Sequence, residues 1–134
     1  SCIELRNKED LEKPYDGIIL PGGESTVQGK LLKELDMFDT IKKQIEEGMP
    51  VLATCAGLIL LAKDIKDQEE TYFGTIPMTF IRAPYVESVE EVVKVLAEVD
   101  GNIVGVEYGN QIGVAFHPEL DENLRVHEKF ISRL

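Results

Sequence analysis

Short apolar runs alternate along the chain with segments in which apolar residues recur at helical spacing. The short runs predict strands at 16–20, 51–54, 80–83 and 111–116. A further pair, 92–99 and 103–107, has the pattern of a hairpin, with Asp100-Gly101-Asn102 as its turn.

Helical spacing is clearest at Phe38, Ile41 and Ile45, and Gly48 with Pro50 marks the end of that segment. Helices are predicted at 25–35, 37–47, 55–65 and 124–134. Alternating strands and helices are typical of an α/β fold. We therefore predict a three-layer α/β domain over 1–134, with a mainly parallel sheet and flanking helices.

Composition narrows the range of partners. The 134 residues include 25 acidic and 14 basic side chains, a formal net charge of -11. Such a chain is poorly suited to nucleic acid or to an anionic membrane surface. No apolar run approaches the ~20 residues that cross a bilayer, and no basic leader is visible. Two cysteines cannot form a disulfide framework or a metal cage, so we expect reduced thiols and a cytoplasmic protein.

The segment around Cys55 is the first candidate for chemistry. A buried strand passes without a spacer into an apolar helix, with Cys55 at the junction. This arrangement is a nucleophile elbow, which holds a reactive side chain at the carboxyl edge of a sheet. Such a strained turn requires small neighbours, and Ala53, Ala56 and Gly57 meet that requirement. A buried, unreactive cysteine is the alternative.

His117 and Glu119 form the second candidate, since they follow the last predicted strand. A cysteine nucleophile needs a histidine as general base and a third group that orients the ring. Residues two apart on an extended segment point to the same side, so Glu119 can reach His117. The alternative is an ordinary surface loop.

The third candidate is the Pro-Gly-Gly-Glu-Ser segment at 21–25. Glycines allow backbone N–H groups to approach a ligand closely, and a helix N-terminus suits an anion. The alternative is a simple strand-to-helix turn with Ser25 as the helix N-cap.

Four motifs occur in a fixed order: Pro-Gly-Gly-Glu-Ser-Thr at 21–26, Thr-Cys-Ala-Gly-Leu at 54–58, Phe-Ile-Arg-Ala-Pro at 80–84 and Phe-His-Pro-Glu-Leu at 116–120. Together they resemble the glutaminase subunits of pyridoxal 5'-phosphate synthase, which are class I (triad) glutamine amidotransferases with a flavodoxin-like fold. The resemblance covers nearly the whole chain.

The resemblance implies a Cys55, His117 and Glu119 triad that hydrolyses L-glutamine to L-glutamate and ammonia through a thioester. It implies glutamine contacts at Gly22, Gly23, Glu24, Ile81 and Arg82. The N–H groups of Gly23 and Ala56 are the candidate oxyanion donors. The ammonia would pass to the synthase (lyase) subunit of a hetero-oligomer. This chain would hold no cofactor and no metal, and would not itself bind pyridoxal phosphate.

The chain departs from the family pattern in three places. It lacks the first strand–helix unit with its Leu-Gln-Gly motif, whose loss would expose a strand edge and an apolar face. It also lacks an internal segment with an Arg-Asn-Ala-Tyr-Gly-Arg-Gln motif, and it has Ala53 where glycine is usual. Two alternatives therefore stay open: a triad glutaminase of another synthase, or a catalytically silent assembly partner.

Overall fold

The computed structural model describes residues 2–66, 71–81, 85–116, 118 and 124–134. Its strands are β1 (Ile18–Leu20), β2 (Val51–Thr54), β3 (Ala62–Ile65), β4 (Ile76–Ile81), β5 (Tyr85–Val89), β6 (Lys94–Val99), β7 (Asn102–Tyr108) and β8 (Gln111–Val114). Its helices are α1 (Ser25–Glu34), α2 (Phe38–Glu46), α3 (Ala56–Leu61) and α4 (Arg125–Ile131), and a short 3-10 helix covers Lys8–Glu12.

The strands form one sheet in the order β1-β2-β8-β7-β5-β4-β3, with β6 paired to β7. The pairs β1–β2, β2–β8 and β3–β4 are parallel, and the other pairs among the described strands are antiparallel. The predicted α/β class is confirmed, and the sheet is mixed. Its parallel part includes β2, which leads directly into Cys55.

Helices cover both faces of this parallel part. Val51 and Ala53 of β2 belong to the main core cluster, together with Ile41 and Ile45 of α2. Leu52 lies between them in sequence and packs on the opposite face, in a second cluster with Ile112 and Phe130. Every residue of β2 is buried, because alternate side chains of a central strand enter different layers. The predicted three-layer arrangement is therefore present.

The hairpin of β6 and β7 is confirmed, and its turn residues Asp100 and Gly101 both have positive φ, at 52° and 81°. This is the two-residue turn that matches strand twist. The helix predicted over 55–65 is wrong in its second half, since it ends at Leu61 and 62–65 form β3. The three-residue spacing of the buried residues Ala62 and Ile65 would also fit a helix. Pairing with β4 makes this segment a strand instead. Strand β5 and the 3-10 helix were not predicted.

Strand β1 occupies one end of the strand order, so one of its edges has no neighbouring strand within the described part of the chain. Beside it, Ile19, Leu31 and Leu35 are 51%, 47% and 41% exposed. A cavity of about 350 Å³ lies between β1 and α1, lined mainly by apolar side chains. An apolar surface is therefore exposed beside β1 in the described part of the chain. Among the described residues, no helix is long and apolar enough to span a membrane.

Candidate active site

Cys55 lies between the last residue of β2 and the first residue of α3. Its backbone has φ 50° and ψ -110°, a conformation that residues with a Cβ rarely adopt. Such strain costs about 1–3 kcal/mol and persists only where the surrounding structure enforces it. The sharp strand–turn–helix geometry expected of a nucleophile elbow is therefore present at Cys55.

Hydrogen bonds to neighbouring elements hold this turn. The N–H of Cys55 donates to the carbonyl of Val114 at 2.9 Å, and the carbonyl of Cys55 accepts from the N–H of Leu58 at 3.0 Å. Thr54 and Val114 are register partners at the carboxyl ends of the parallel strands β2 and β8. The half-buried, free thiol side chain thus lies at this edge of the sheet.

Small residues allow α3 to approach β1 closely. A Cβ added to Gly57 would collide with the carbonyl oxygen of Leu20 and would lie 2.8 Å from its carbonyl carbon. Ala53 and Ala56 are 0% and 2% exposed, so both methyl groups are enclosed. The expected requirement for small neighbours is met, and Gly57 has the strictest constraint.

The Pro21–Gly23 loop leaves β1 at the same edge. Leu20 is the register partner of Ala53, so in these parallel strands the next residues, Pro21 and Gly22, follow at the level of Thr54 and Cys55. Gly23 has φ 143°, and a Cβ there would lie 2.9 Å from the Gln28 side-chain nitrogen. The loop conformation therefore strains any residue with a Cβ at 23.

Glu24 is the N-cap of α1, so the interpretation with Ser25 as the cap is wrong. Its carboxylate accepts the N–H groups of Thr26 and Val27, each at 3.0 Å. These two backbone hydrogen bonds hold the pKa of the Glu24 carboxyl below its usual range. The carboxylate is thus engaged by its own helix, and a contact between Glu24 and a ligand remains a prediction.

Sequence reasoning missed Gln28, whose side-chain amide holds the loop. Its Nε2 donates to the carbonyl of Pro21 at 3.2 Å and to that of Gly22 at 3.1 Å. The signal was available in the sequence, because helical side chains point toward the N-terminus. A long polar residue at the fourth position of α1 therefore covers the preceding loop.

Of the other predicted site residues, the structure describes only Ile81. His117, Glu119 and Arg82 lie outside the described residues. Ile81 ends β4, which β8, β7 and β5 separate from β2 in the strand order. The described structure thus brings Cys55, Ala56, Gly22 and Gly23 to one edge, and it leaves Ile81 several strands away within the sheet.

Comparison with known proteins identifies the family of this chain. The model of the SNO glutamine amidotransferase family matches residues 2–76 and 66–134. Pyridoxal 5'-phosphate synthase subunit PdxT of Desulfitobacterium hafniense (strain DSM 10664 / DCB-2) is 48% identical, with 99% of this chain and 81% of that protein aligned. The subunit of the same name from Haemophilus influenzae (strain PittEE) is 44% identical, with 97% of this chain and 84% of that protein aligned.

A crystal structure of a glutamine amidotransferase superposes with a TM-score of 0.88 at 34% identity, covering 98% of this chain and 85% of that one. The alignment with the Desulfitobacterium relative runs over 161 positions, more than the 134 residues here. The relative therefore has positions inside the aligned region that lack a counterpart in this chain, in keeping with the internal segment expected to be missing. By the family match and by these identities, the chain belongs to the SNO glutamine amidotransferase family.

Proposed function

We propose that this chain hydrolyses L-glutamine to L-glutamate and ammonia, and that a partner synthase subunit uses the ammonia to make pyridoxal 5'-phosphate. The observation that carries the proposal is the strained backbone of Cys55 at the strand–helix junction. Relatives named as pyridoxal 5'-phosphate synthase subunits, at 44% and 48% identity, support the choice of pathway and partner.

The reaction begins at the side-chain amide of glutamine. His117 accepts the thiol proton, the sulfur of Cys55 bonds to the amide carbon, and the carbonyl electron pair moves to oxygen. When the oxyanion collapses, the C–N bond breaks, and His117 delivers the proton to the leaving ammonia. Water then attacks the thioester, with His117 as base, and the C–S bond breaks to give glutamate and the free thiol.

Two backbone N–H groups are assigned to the oxyanion. Ala56 is the first residue of α3, so its N–H has no acceptor within that helix. Gly23 belongs to the loop that leaves β1 beside Cys55. Fixed dipoles of this kind stabilise charge that develops in the transition state, and one donor contributes about 10²–10³-fold to kcat.

Chain connectivity supports the roles of His117 and Glu119. Val114 contacts Cys55 through its carbonyl, at 2.9 Å from the Cys55 nitrogen, and His117 is three residues further along the chain. Three residues span at most about 10 Å, so chain connectivity allows an imidazole at 117 to approach the thiol. Glu119 would orient that ring, as in other triads.

Glutamine recognition is assigned to Gly22, Gly23, Glu24, Ile81 and Arg82. The two glycines have the most direct support, because they share an edge of the sheet with Cys55. Chemistry at a thiol needs no metal or organic cofactor, so the protein would act with glutamine, water and its synthase partner.

Glutamate release in the presence of the synthase subunit tests the proposal. Cys55→Ser should remove activity and keep the fold, whereas Cys2→Ser, at the exposed second cysteine, should match the wild type. His117→Asn should be about as severe as Cys55→Ser, and Glu119→Gln milder. A protein that binds the synthase but releases no glutamate would instead be a silent assembly partner. Full turnover by Cys55→Ser would refute the mechanism.

A further inference from the structure

The side chain of Gln28 is fixed against the loop that follows β1, although it lies outside the proposed triad and glutamine contacts. Its Nε2 bridges two successive carbonyls, those of Pro21 and Gly22, at 3.2 and 3.1 Å. Its Oε1 is buried and has no hydrogen-bond partner among the described residues. An apolar side chain of the same length would fill this position without an unpaired oxygen, so the amide's specific contribution is the pair of bonds to the loop.

These bonds determine which way the Gly22–Gly23 peptide faces. In a trans peptide the C=O and the following N–H point in opposite directions, and the described chain contains no cis bond. Because the Gly22 carbonyl points at Gln28, the Gly23 N–H points to the other side of the loop. A glycine pair has little intrinsic preference for this orientation, since both residues access conformations closed to other amino acids.

We propose that Gln28 is a positioning residue, which orients the Gly22–Gly23 peptide so that the Gly23 N–H faces the oxyanion formed at Cys55. The inference rests on the proposed glutaminase function. It predicts that Gln28 acts on the transition state through Gly23 and contributes little to ground-state binding of glutamine. Loss of the two bonds should therefore lower kcat and leave KM nearly unchanged.

Two substitutions remove the hydrogen bonds from Gln28 to the loop in different ways. Gln28→Met keeps the length of the side chain but removes the donor, and Gln28→Glu keeps the shape but presents a carboxylate to two carbonyl oxygens. Gln44→Glu is the matched control on α2, because the Gln44 Oε1 accepts the Tyr15 hydroxyl at 2.6 Å and a carboxylate can accept it equally well. Thermal unfolding of each variant reports whether the fold is retained.

The kinetic measurement is glutamine hydrolysis with the synthase subunit present. The proposed function is established first, if the wild type hydrolyses glutamine and Cys55→Ser does not. If the wild type shows no such activity, both the proposed function and this inference fail. Given that activity, we expect kcat to fall about 10- to 100-fold in both Gln28 variants, with KM within about twofold and Gln44→Glu close to wild type. Unchanged kcat in both variants, a change confined to KM, or an equal loss in Gln44→Glu would overturn the inference while leaving the glutaminase function intact.

Discussion

Replacement of Cys55 by glycine should give a more stable fold than replacement by alanine, although both changes remove the proposed nucleophile. Residue 55 has φ 50° and ψ -110°, where a Cβ is strained and glycine is not. Cys55→Ala is the necessary reference, since it also removes the sulfur but retains the Cβ. The difference between the two variants therefore isolates backbone strain from loss of the thiol.

The size of the effect follows from two opposing contributions. Relief of a strained conformation of this kind is worth about 1–3 kcal/mol. Glycine also gains about 0.5–1 kcal/mol of conformational freedom in the unfolded chain, which opposes folding. Cys55→Gly should therefore be more stable than Cys55→Ala by about 0.5–2 kcal/mol. The adjacent change Ala56→Gly should have the opposite sign, because Ala56 begins α3 and its side chain is buried.

Equilibrium urea unfolding gives the free energy of unfolding for all three variants. A difference of 1 kcal/mol corresponds to a midpoint shift of about 0.5 M urea for typical slopes. We expect the midpoints in the order Cys55→Gly above Cys55→Ala, and wild type above Ala56→Gly. If Cys55→Gly is no more stable than Cys55→Ala, the turn at residue 55 is not strained, and the main structural support for a nucleophile elbow is lost.

Three further predictions concern the surroundings of the site. Gly57→Ala should destabilise the protein by about 1–3 kcal/mol in urea unfolding, because its Cβ would meet the Leu20 carbonyl; an unchanged midpoint would contradict the close approach of α3 to β1. The folded-state pKa of Glu24 is lowered from 4.5, so its cap should stabilise the fold above pH 4.5 and lose that effect as pH falls through the folded value. The difference in thermal midpoint between wild type and Glu24→Gln should accordingly vanish in acid. A difference that stays constant across pH would refute this role of the Glu24 carboxylate as a cap. Glutamate release should be weak for the chain alone and clearly stimulated by the synthase subunit, since uncoupled hydrolysis wastes glutamine; equal rates would exclude such coupling.

The sequence was most informative where local chemistry determines structure. The strand at 51–54 and the turn at Cys55 were predictable because the apolar run Val51 to Ala53 leads through Thr54 into small residues at the start of a helix. The Asp100-Gly101 turn was predictable because it requires two positive φ angles. In these segments the local residues indicate the conformation, and at Cys55 the hydrogen bond from its N–H to the Val114 carbonyl also holds the turn.

The sequence-based predictions fail where contacts outside the segment determine its conformation. Residues 62–65 have a spacing that fits a helix, and only their pairing with β4 makes them a strand. Gln28 was overlooked because helix geometry places its side chain over the preceding loop, but which loop carbonyls it meets depends on the folded turn.

Covalent trapping with an electrophilic glutamine analogue, followed by peptide mass mapping, tests the central claim that Cys55 attacks glutamine. The chain contains a built-in control, since its second cysteine, Cys2, is exposed and far from the motif in sequence. With the synthase subunit present, we expect one adduct on the peptide that contains Cys55, and excess L-glutamine should slow its formation. Labelling of Cys2 alone, or labelling of Cys55 that glutamine does not slow, would contradict the account.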